Sequence, residues 1–435
     1  MKNSINIFWF RRDLRIEDNA GLFNALESGL PVLPVFIFDK NILAELERTD
    51  PRLTFIHNQL EIINQKLGTL GSSLIVKQGE PLAVWNELLN EYEISEVFTN
   101  YDYEPYAISR DKQVEELLKA RHIPFKTFKD QVIFEKDEVI KDDGNPYTVY
   151  TPYMNKWMSK LRANPVQRFN TTPHFRNFIQ LKWAEIPSLK EIGFVSGNIN
   201  VPEIRLDKDR ILKYEQTRNF PYLDGTSMAG THLRFGTASI RDLVLMADSF
   251  DNKTFLKELI WREFFMQILY HFPKVVSGSF RPAYDKIRWI NNEQQFQLWC
   301  VGKTGYPMVD AGMRELNAMG FMHNRVRMVV ASFLCKHLLI DWRWGEAYFA
   351  KKLLDYELSS NNGNWQWAAG TGCDAAPYFR VFNPTEQMRK FDPELKYIKK
   401  WVPELNTDAY SKPIVDHQFA RMRAISIYKQ GLAGE

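Results

Sequence analysis

Short apolar runs alternate with amphipathic stretches over the first 130 residues. β-Branched and aromatic residues cluster in five runs that are predicted to be strands, at residues 5–10, 32–38, 73–77, 96–100 and 124–128. Apolar positions at helical spacing predict helices between them, near residues 19–28, 54–67, 82–91 and 108–120. Because strands that alternate with helices pack as a parallel sheet, residues 1–130 are predicted to form a doubly wound α/β domain.

The rest of the chain changes character twice. Frequent prolines and polar residues predict a long connector at residues 131–200, mostly loop with short helices. Residues 201–435 are predicted to be helical, with candidate helices at residues 207–219, 240–247, 254–271, 292–301, 309–319, 324–339 and 345–354. No GxGxxG follows the first strand and no GxxxxGK[ST] occurs, so a standard nucleotide-binding loop is not indicated.

Chemistry-bearing residues are concentrated between residues 320 and 372. Helical spacing predicts a buried helix at residues 324–340, and this helix contains Arg325 and Arg327. A buried arginine needs a carboxylate or phosphate, and a structural ion pair is one explanation. The carboxylates of Asp355 and Glu357, four tryptophans and an Asn-Asn-Gly corner expected at residues 361–363 follow. Together they indicate the wall of a cofactor pocket.

The composition excludes several classes of protein. With 435 residues, 45% of them hydrophobic and 25% charged, the chain is typical of two or three globular domains. No run reaches the roughly 18 apolar residues of a membrane helix, and the first residues lack a signal-peptide core. Three distant cysteines and eight scattered histidines offer no metal-ligand spacing. We expect a cytoplasmic protein without a metal site.

The two parts of the chain differ in charge. Residues 1–150 carry 17 basic and 25 acidic residues, a net charge of −8, whereas residues 151–435 carry 39 and 28, a net charge of +11. Ten of the 12 tryptophans also follow residue 150. A basic, aromatic-rich part favours contact with a polyanion, although solvated surface charge explains the numbers equally well.

Four segments resemble the signatures of the photolyase/cryptochrome family, in the family's order and spacing. They are FWFRRDLRIEDN (residues 8–19), TGYPMVDAGMREL (304–316), NRVRMVVASFLCKHLLIDWR (324–343) and WQWAAGTGCDAAPYFRVFNP (365–384). The likeness covers nearly the whole chain and is strongest to class I photolyases for cyclobutane pyrimidine dimers. It implies an α/β domain at residues 1–130, a connector at residues 131–200 and an all-helical FAD-binding and DNA-binding domain at residues 201–435.

The resemblance assigns the FAD pocket residue by residue. The matching positions hold the phosphates, the helix beside the flavin and the surroundings of the isoalloxazine ring: Tyr214, Thr226, Ser227, Met228, Ala229, Gly230, Glu258, Trp261, Arg262, Arg327, Asp355, Tyr356, Glu357 and Asn361. The chain departs from the family pattern where Gly230 replaces a hydroxyl residue, Tyr356 a glycine and Glu357 an aspartate. Asn361, which is an aspartate in plant cryptochromes, favours the repair branch.

Three tryptophans match the family's electron-transfer chain. The resemblance implies the order Trp365, Trp342 and Trp289 from flavin to surface. Indoles suit this role because they are oxidised comparatively easily. Core packing explains any single tryptophan as well, whereas three matching positions favour electron transfer.

The lesion pocket separates the branches of the family. Photolyases for cyclobutane dimers carry Glu, Asn, Met and two Trp at the positions of Glu258, Asn324, Met328, Trp261 and Trp367. Relatives that repair (6-4) lesions typically have histidines at the positions of Asn324 and Met328, and DASH-type relatives usually have tyrosine in place of Trp367. Neither substitution occurs in this sequence. The resemblance implies catalytic roles for Glu258, Asn324, Met328 and Asn361. It also implies contact with DNA for seven residues, which are Arg218, Trp261, Arg325, Trp367, Arg380, Gln387 and Lys390.

The antenna site of the N-terminal domain matches the family least. Glu104 is retained from an Asn-Glu pair of folate-binding relatives, but residues 105–107 and 276–279 lack the other groups of that pocket. A folate, a deazaflavin, a second flavin or no chromophore therefore remains open.

The resemblance implies light-driven repair of cyclobutane pyrimidine dimers by electron transfer from excited reduced FAD. The expected partner is UV-damaged DNA, and a monomer is expected. The alternative is a cryptochrome-type blue-light photoreceptor that signals through a protein partner. Such receptors often carry a long C-terminal extension, whereas only about fifty residues follow Asn383. A flavoprotein that binds DNA without light chemistry is disfavoured by the three matching tryptophans.

Overall fold

In the computed structural model, which describes residues 4–433, the five predicted strands form one parallel sheet. They are β1 (Ile5–Phe10), β2 (Val32–Asp39), β3 (Ile75–Gly79), β4 (Ile94–Asn100) and β5 (Phe125–Phe128). Their spatial order is β3-β2-β1-β4-β5. Parallel strands need crossover connections, and the helices between them are α1 (Ala20–Glu27), α2 (Lys40–Leu43), α3 (Pro51–Thr69), α4 (Pro81–Glu91) and α5 (Pro105–Lys119).

Strands β1 and β2 are buried along their whole length. Successive side chains of a strand point to opposite faces of the sheet, and helices cover both faces. On one face Phe8 and Phe10 pack in a cluster with Leu60 of α3. On the other face Trp9 packs with Trp85 of α4, and their ring centroids are 5.5 Å apart. The predicted doubly wound sheet is thereby confirmed.

Polar residues of the motif at residues 8–19 stabilise this region. Asn19 caps α1, because its side-chain oxygen accepts a hydrogen bond from the N–H of Leu22 at 3.1 Å. The guanidinium of Arg15 contacts both carboxylate oxygens of Asp130, at 2.7 and 2.8 Å. These side chains are buried, so the contacts give this part of the motif a structural role.

The chain after residue 139 is mainly helical. The helices are α6 (Tyr150–Ala163), α7 (Lys208–Thr217), α8 (Ala229–Arg234), α9 (Ile240–Asp248), α10 (Thr254–His271), α11 (Glu293–Cys300), α12 (Pro307–Met319), α13 (Asn324–Ser332), α14 (Trp342–Lys352), α15 (Leu358–Ala369), α16 (Pro384–Phe391), α17 (Lys396–Trp401) and α18 (His417–Ala433). The helical character predicted for the part of the chain from residue 201 onward is confirmed. Within residues 4–433, no helix has the length and apolar character needed to span a membrane.

The chain divides into two compact units, each built from three segments. Unit 1 contains the chain up to Glu138, Trp157–Ile204 and Met228–Ser249. Unit 2 contains Val139–Lys156, Arg205–Ser227 and the chain from Phe250 onward. This partition follows contacts and differs from the division at residues 130 and 200, which stays a prediction.

Two sequence-based expectations for residues 320–372 are wrong. The helix predicted over residues 324–340 ends at Ser332, and Phe333–His337 form a π-helical turn. All five residues of that turn are buried, and Lys336 Nζ donates to the carbonyl of Ala369 at 2.7 Å. The expected corner at residues 361–363 lies inside α15, where Gly363 is pressed against the ring of Phe265. Glycine there permits close helix packing instead of a turn.

Candidate active site

Unit 2 contains a pocket of about 580 Å³, open mouth included, between α13, α15 and the segment that precedes α15. Its lining residues are Asn324, Arg327, Met328, Ala331, Phe349, Leu353, Asp355, Tyr356, Glu357, Ser360, Asn361, Asn364, Trp365, Trp367 and Ala368. Many residues that the sequence assigned to the flavin and the lesion thus line one cavity.

Helix α13 directs three side chains of the pocket through its periodicity. Asn324, Met328 and Ala331 are spaced by four and three residues, so they lie on one face of the helix. The helix begins at Asn324 because His323 caps it, with Nδ1 accepting from the N–H of Arg325 at 3.2 Å. The cap fixes where the first pocket residue stands.

Arg327 is held at the pocket wall by three hydrogen bonds. Its Nη2 lies 2.9 and 3.2 Å from the two carboxylate oxygens of Asp355, and its Nε donates to the carbonyl of Met322 at 2.7 Å. The predicted salt bridge between Arg327 and Asp355 is present. The guanidinium therefore brings a fixed positive charge to the cavity.

Glu357 forms a second ion pair beside the pocket. Its Oε1 lies 3.2 Å from Nη2 of Arg262 on α10, and its Oε2 accepts from Ser360 at 3.3 Å. The side chain is almost fully buried. The glutamate that replaces the family's aspartate thus joins α10 to the start of α15.

Asn361 is oriented by Glu346 of α14. Its Nδ2 donates to Oε1 of Glu346 at 2.8 Å and to the main-chain oxygen of the same residue at 3.1 Å. Burial raises the pKa of the Glu346 carboxyl, and the hydrogen bond from Asn361 opposes that rise. The amide nitrogen is engaged, so the oxygen Oδ1 is the polar atom that Asn361 can offer to a ligand.

The three tryptophans of the predicted chain differ in exposure. Trp365 and Trp342 are buried, whereas Trp289 is half-buried. Trp365 lines the pocket and lies against Gly345 of α14, where a methyl group would overlap with its indole. Only Trp289, which was expected to lie nearest the surface, is partly exposed, and the order of the three tryptophans and their role in electron transfer stay predictions.

Sequence reasoning missed Trp299. This fully buried indole lies edge-on to Trp365 with ring centroids 6.2 Å apart, and its Nε1 donates to the carbonyl of Val330 at 3.3 Å. It supports the packing around Trp365. Its position within α11 offered no signal beyond helical periodicity.

The residues expected at the lesion fall into two groups. Asn324, Met328 and Trp367 line the pocket, whereas Glu258 and Trp261 on α10 are not among its lining residues. The carboxylate of Glu258 forms an ion pair with Arg218. One face of Trp261 is covered by Tyr150, with ring centroids 3.6 Å apart and planes at 6°.

Arg325 lacks a carboxylate partner within the described residues. Its Nη2 donates to the side-chain oxygen of Asn219 at 2.6 Å, and its guanidinium lies 4.3 Å from the ring centroid of Phe391. Burial and the neighbouring charges of Arg218 and Arg380 lower the pKa of Arg325. A cluster of arginines with an unneutralised member is suited to an anion such as a phosphate.

Arg380, Gln387 and Lys390 are also expected to contact DNA. Arg380 is exposed, with its guanidinium 5.6 Å from the ring centroid of Phe382. Gln387 is half-buried, and Lys390 is exposed with its ammonium 5.4 Å from the ring centroid of Phe391. Both residues lie on α16, and their contact with DNA stays a prediction.

The expected phosphate-binding residues are divided between the two units. Tyr214, Thr226 and Ser227 belong to unit 2, where Arg210 of α7 donates to the carbonyl of Thr226 at 3.2 Å. Burial and then the charge of Glu258 raise the pKa of Tyr214. In unit 1, Met228 adopts a left-handed backbone conformation, and Ala229 and Gly230 open α8.

The cavity fits a flavin by the chemistry of its walls. An indole of Trp365, a fixed guanidinium of Arg327 and an amide of Asn361 face one space. A planar ring that carries negative charge when reduced and has polar edges matches this set. No cluster of metal-ligating side chains occurs in residues 4–433.

The antenna residues of unit 1 are engaged with one another. Glu104 accepts from Arg12 at 2.9 Å and from Arg234 at 2.6 Å. The hydroxyl of Tyr106 donates to Asp39 at 2.7 Å. The retained glutamate therefore has structural partners within unit 1.

Family models match two long segments of the chain. A model described as DNA photolyase matches residues 6–173, and one described as FAD binding domain of DNA photolyase matches residues 255–408. The deoxyribodipyrimidine photo-lyase of Halobacterium salinarum is 37% identical over 99% of this chain and 100% of its own length.

Solved structures match this chain over 98–99% of its length. A class III photolyase from Agrobacterium tumefaciens gives a TM-score of 0.88 at 32% identity, covering 99% of this chain and 98% of its own. An archaeal photolyase from Sulfolobus tokodaii with two FAD molecules gives a TM-score of 0.82 at 34% identity, covering 98% of this chain and 99% of its own. A Synechocystis cryptochrome gives a TM-score of 0.84 at 25% identity, also covering 98% of this chain and 99% of its own. The class I assignment stays a prediction, because these matches include another class.

Proposed function

The chain belongs to the DNA photolyase family, and we propose that it splits cyclobutane pyrimidine dimers in DNA under light. The observation that carries the proposal is the meeting of Asn324, Met328 and Trp367 in one cavity with Asn361 and Arg327. In this proposal, one cavity binds the flavin and the lesion that receives its electron. The substrate is UV-damaged DNA, and the enzyme is a carbon-carbon lyase acting as a cytoplasmic monomer.

Reduced FAD, when bound, supplies the electron that light makes available to the dimer. Arg327, fixed by Asp355, stabilises negative charge in the cavity. Asn361 contributes an amide and adds no charge of its own. Trp365, Trp342 and Trp289 are the proposed route by which electrons reach the cavity from the surface.

The lesion is held by side chains of different chemistry. Trp367 offers an indole face, and base stacking on an aromatic ring contributes about 1–3 kcal/mol per base. Asn324 can both donate and accept a hydrogen bond, so it can follow the charge on a pyrimidine carbonyl. Met328 adds a polarisable apolar contact. The (6-4) reaction needs imidazole acid chemistry, which a thioether cannot perform.

The cryptochrome-type photoreceptor remains the second candidate, since a cryptochrome shares the fold at 25% identity. The neutral amide of Asn361 and the apolar Met328 favour repair. Two oligonucleotides, one with a single cyclobutane thymine dimer and one with a (6-4) product, separate the candidates. Restored thymine is measured with fully reduced cofactor, in light and in darkness.

We expect light-dependent restoration of the cyclobutane dimer alone. Activity on the (6-4) lesion would overturn the reading of Asn324 and Met328. No light-dependent activity on either lesion would leave the photoreceptor as the better function.

A further inference from the structure

The segment that opens α6 holds an aromatic ring against the indole of Trp261. Tyr150 is the first residue of α6, and its ring centroid lies 3.6 Å from that of Trp261 with planes at 6°. The two residues are 111 positions apart in sequence, yet both belong to unit 2. One face of Trp261 is therefore stacked against a side chain of the protein itself.

Three contacts fix the position of Tyr150. Its hydroxyl donates to the carbonyl of Lys257 at 2.7 Å, and its N–H donates to Oδ2 of Asp374 at 3.0 Å. Its ring meets Phe264 edge-on, with centroids 5.9 Å apart. Only 7% of the residue is exposed. Aromatic pairs prefer offset or edge-on packing to a direct sandwich, so these anchors impose the face-to-face geometry.

Two rings of the same helix also contact Trp261, which is half-buried. Phe265 lies 5.5 Å from the indole between centroids with planes at 30°, and Phe264 lies edge-on at 5.6 Å. Phe265 in turn packs against Gly363 of α15, the helix that carries Asn361 and Trp367. The indole face that Tyr150 covers is turned to α6. A base that stacks on Trp261 must therefore use the part of the indole that is still exposed.

We propose that Tyr150 is a positioning residue for lesion recognition, which locks the plane of Trp261 and leaves the exposed part of its indole for a flipped pyrimidine. The inference rests on the proposed function. A ring held in one plane loses little freedom when a base stacks on it, so preorganisation improves affinity for the flipped dimer. Undamaged DNA contacts the backbone-binding arginines and gains nothing from this stack.

The test compares dissociation constants for matched oligonucleotides with and without one cyclobutane dimer, measured in darkness by fluorescence anisotropy. Tyr150→Leu removes the ring, Tyr150→Phe keeps it and loses only the hydroxyl, and Tyr147→Leu is the control in the same segment. We expect Tyr150→Leu to weaken dimer binding about tenfold and to leave undamaged DNA binding unchanged. Tyr150→Phe and Tyr147→Leu should stay within about twofold of the wild type.

Asp374→Ala provides a second route if Tyr150→Leu does not fold. It removes the acceptor of the Tyr150 N–H and keeps both rings, so it should reduce the preference for the dimer in the same direction by a smaller factor. Wild-type preference in Tyr150→Leu, or in Asp374→Ala where the first variant does not fold, overturns the proposal. Absence of any dimer preference in the wild type overturns the proposed function as well.

Discussion

The side-chain amide of Asn361 is held by Glu346, with Nδ2 2.8 Å from one carboxyl oxygen and 3.1 Å from the main-chain oxygen. Two acceptors on one residue fix the orientation of the amide, since its NH2 group can satisfy both. The carbonyl end of Asn361 is consequently directed by a residue of another helix. The charge state of this small assembly should influence the reduced cofactor.

Asn361→Asp should make the reduced cofactor harder to form. The new carboxyl would lie beside Glu346, whose pKa is already raised by burial, and a negative charge there opposes negative charge on the ligand. We expect a lower midpoint potential in a redox titration of the bound flavin. Glu346→Gln is the matched control, because its side-chain oxygen still accepts from the amide of Asn361 and it adds no negative charge. Its midpoint potential should therefore not fall. An unchanged potential in Asn361→Asp would contradict the assignment.

Trp342→Phe should block light-driven reduction of the oxidised cofactor by an external reductant. Phenylalanine keeps an aromatic ring in a buried site but is much harder to oxidise. Dimer repair should remain intact when the cofactor is reduced chemically beforehand. Trp344→Phe, two residues along α14, is the control and should photoreduce normally. Normal photoreduction in Trp342→Phe would exclude the proposed route.

Binding of damaged DNA should weaken steeply with salt, with a logarithmic slope of about −0.9 per phosphate contact. Arg325→Ala should weaken binding and flatten this slope by about one contact, because Arg325 has no carboxylate partner in residues 4–433. Lys66→Ala removes a positive charge from an exposed ion pair on α3 and serves as control. Equal slopes for wild type and Arg325→Ala would remove Arg325 from the DNA surface.

Glu258→Ala should lower repair efficiency more than it lowers affinity for the dimer. An interaction that strengthens as charge develops contributes to the reaction more than to binding. Glu258→Gln, which keeps an acceptor for Arg218, should be less impaired. The measurements are repair per absorbed photon and the dissociation constant in darkness. A loss confined to binding would assign Glu258 to DNA contact alone.

Acidification should destabilise the protein through His323. Burial, followed by the charges of Arg327, Arg325 and Arg218, lowers the pKa of His323 to about 4 from its ordinary 6.5. The unfolded chain therefore binds more protons between pH 6.5 and pH 4, and stability falls as pH drops through that window. His323 should account for about 1–2 kcal/mol between pH 7 and pH 5.

The matched variant is His323→Asn, since asparagine also caps a helix but does not titrate. Its melting temperature should fall less than that of the wild type between pH 7 and pH 5. A parallel fall in both proteins would show that other groups cause the acid sensitivity.

Periodicity predicted the sheet and most helices because Phe8, Trp9 and their neighbours alternate between two covered faces. The cavity at residues 320–372 could be predicted because the arginines, carboxylates and tryptophans of this stretch are not needed in an ordinary packed core. Contacts between distant segments left no local signal, as the stack of Tyr150 on Trp261 demonstrates. The π-helical turn at Phe333–His337 was also hidden, since a continuous apolar pattern describes an α-helix equally well.

Gly345 has no side chain that could take part in binding or catalysis, yet the packing around it restricts this position to glycine. The indole of Trp365 occupies the volume that a β-carbon at position 345 would need, and the side chain of Leu334 also overlaps with that position. Directed evolution of this protein should therefore recover glycine at this codon in every library selected for a bound flavin. The position would look functionally invariant to a mutational scan, although the cause is its packing against Trp365 and Leu334.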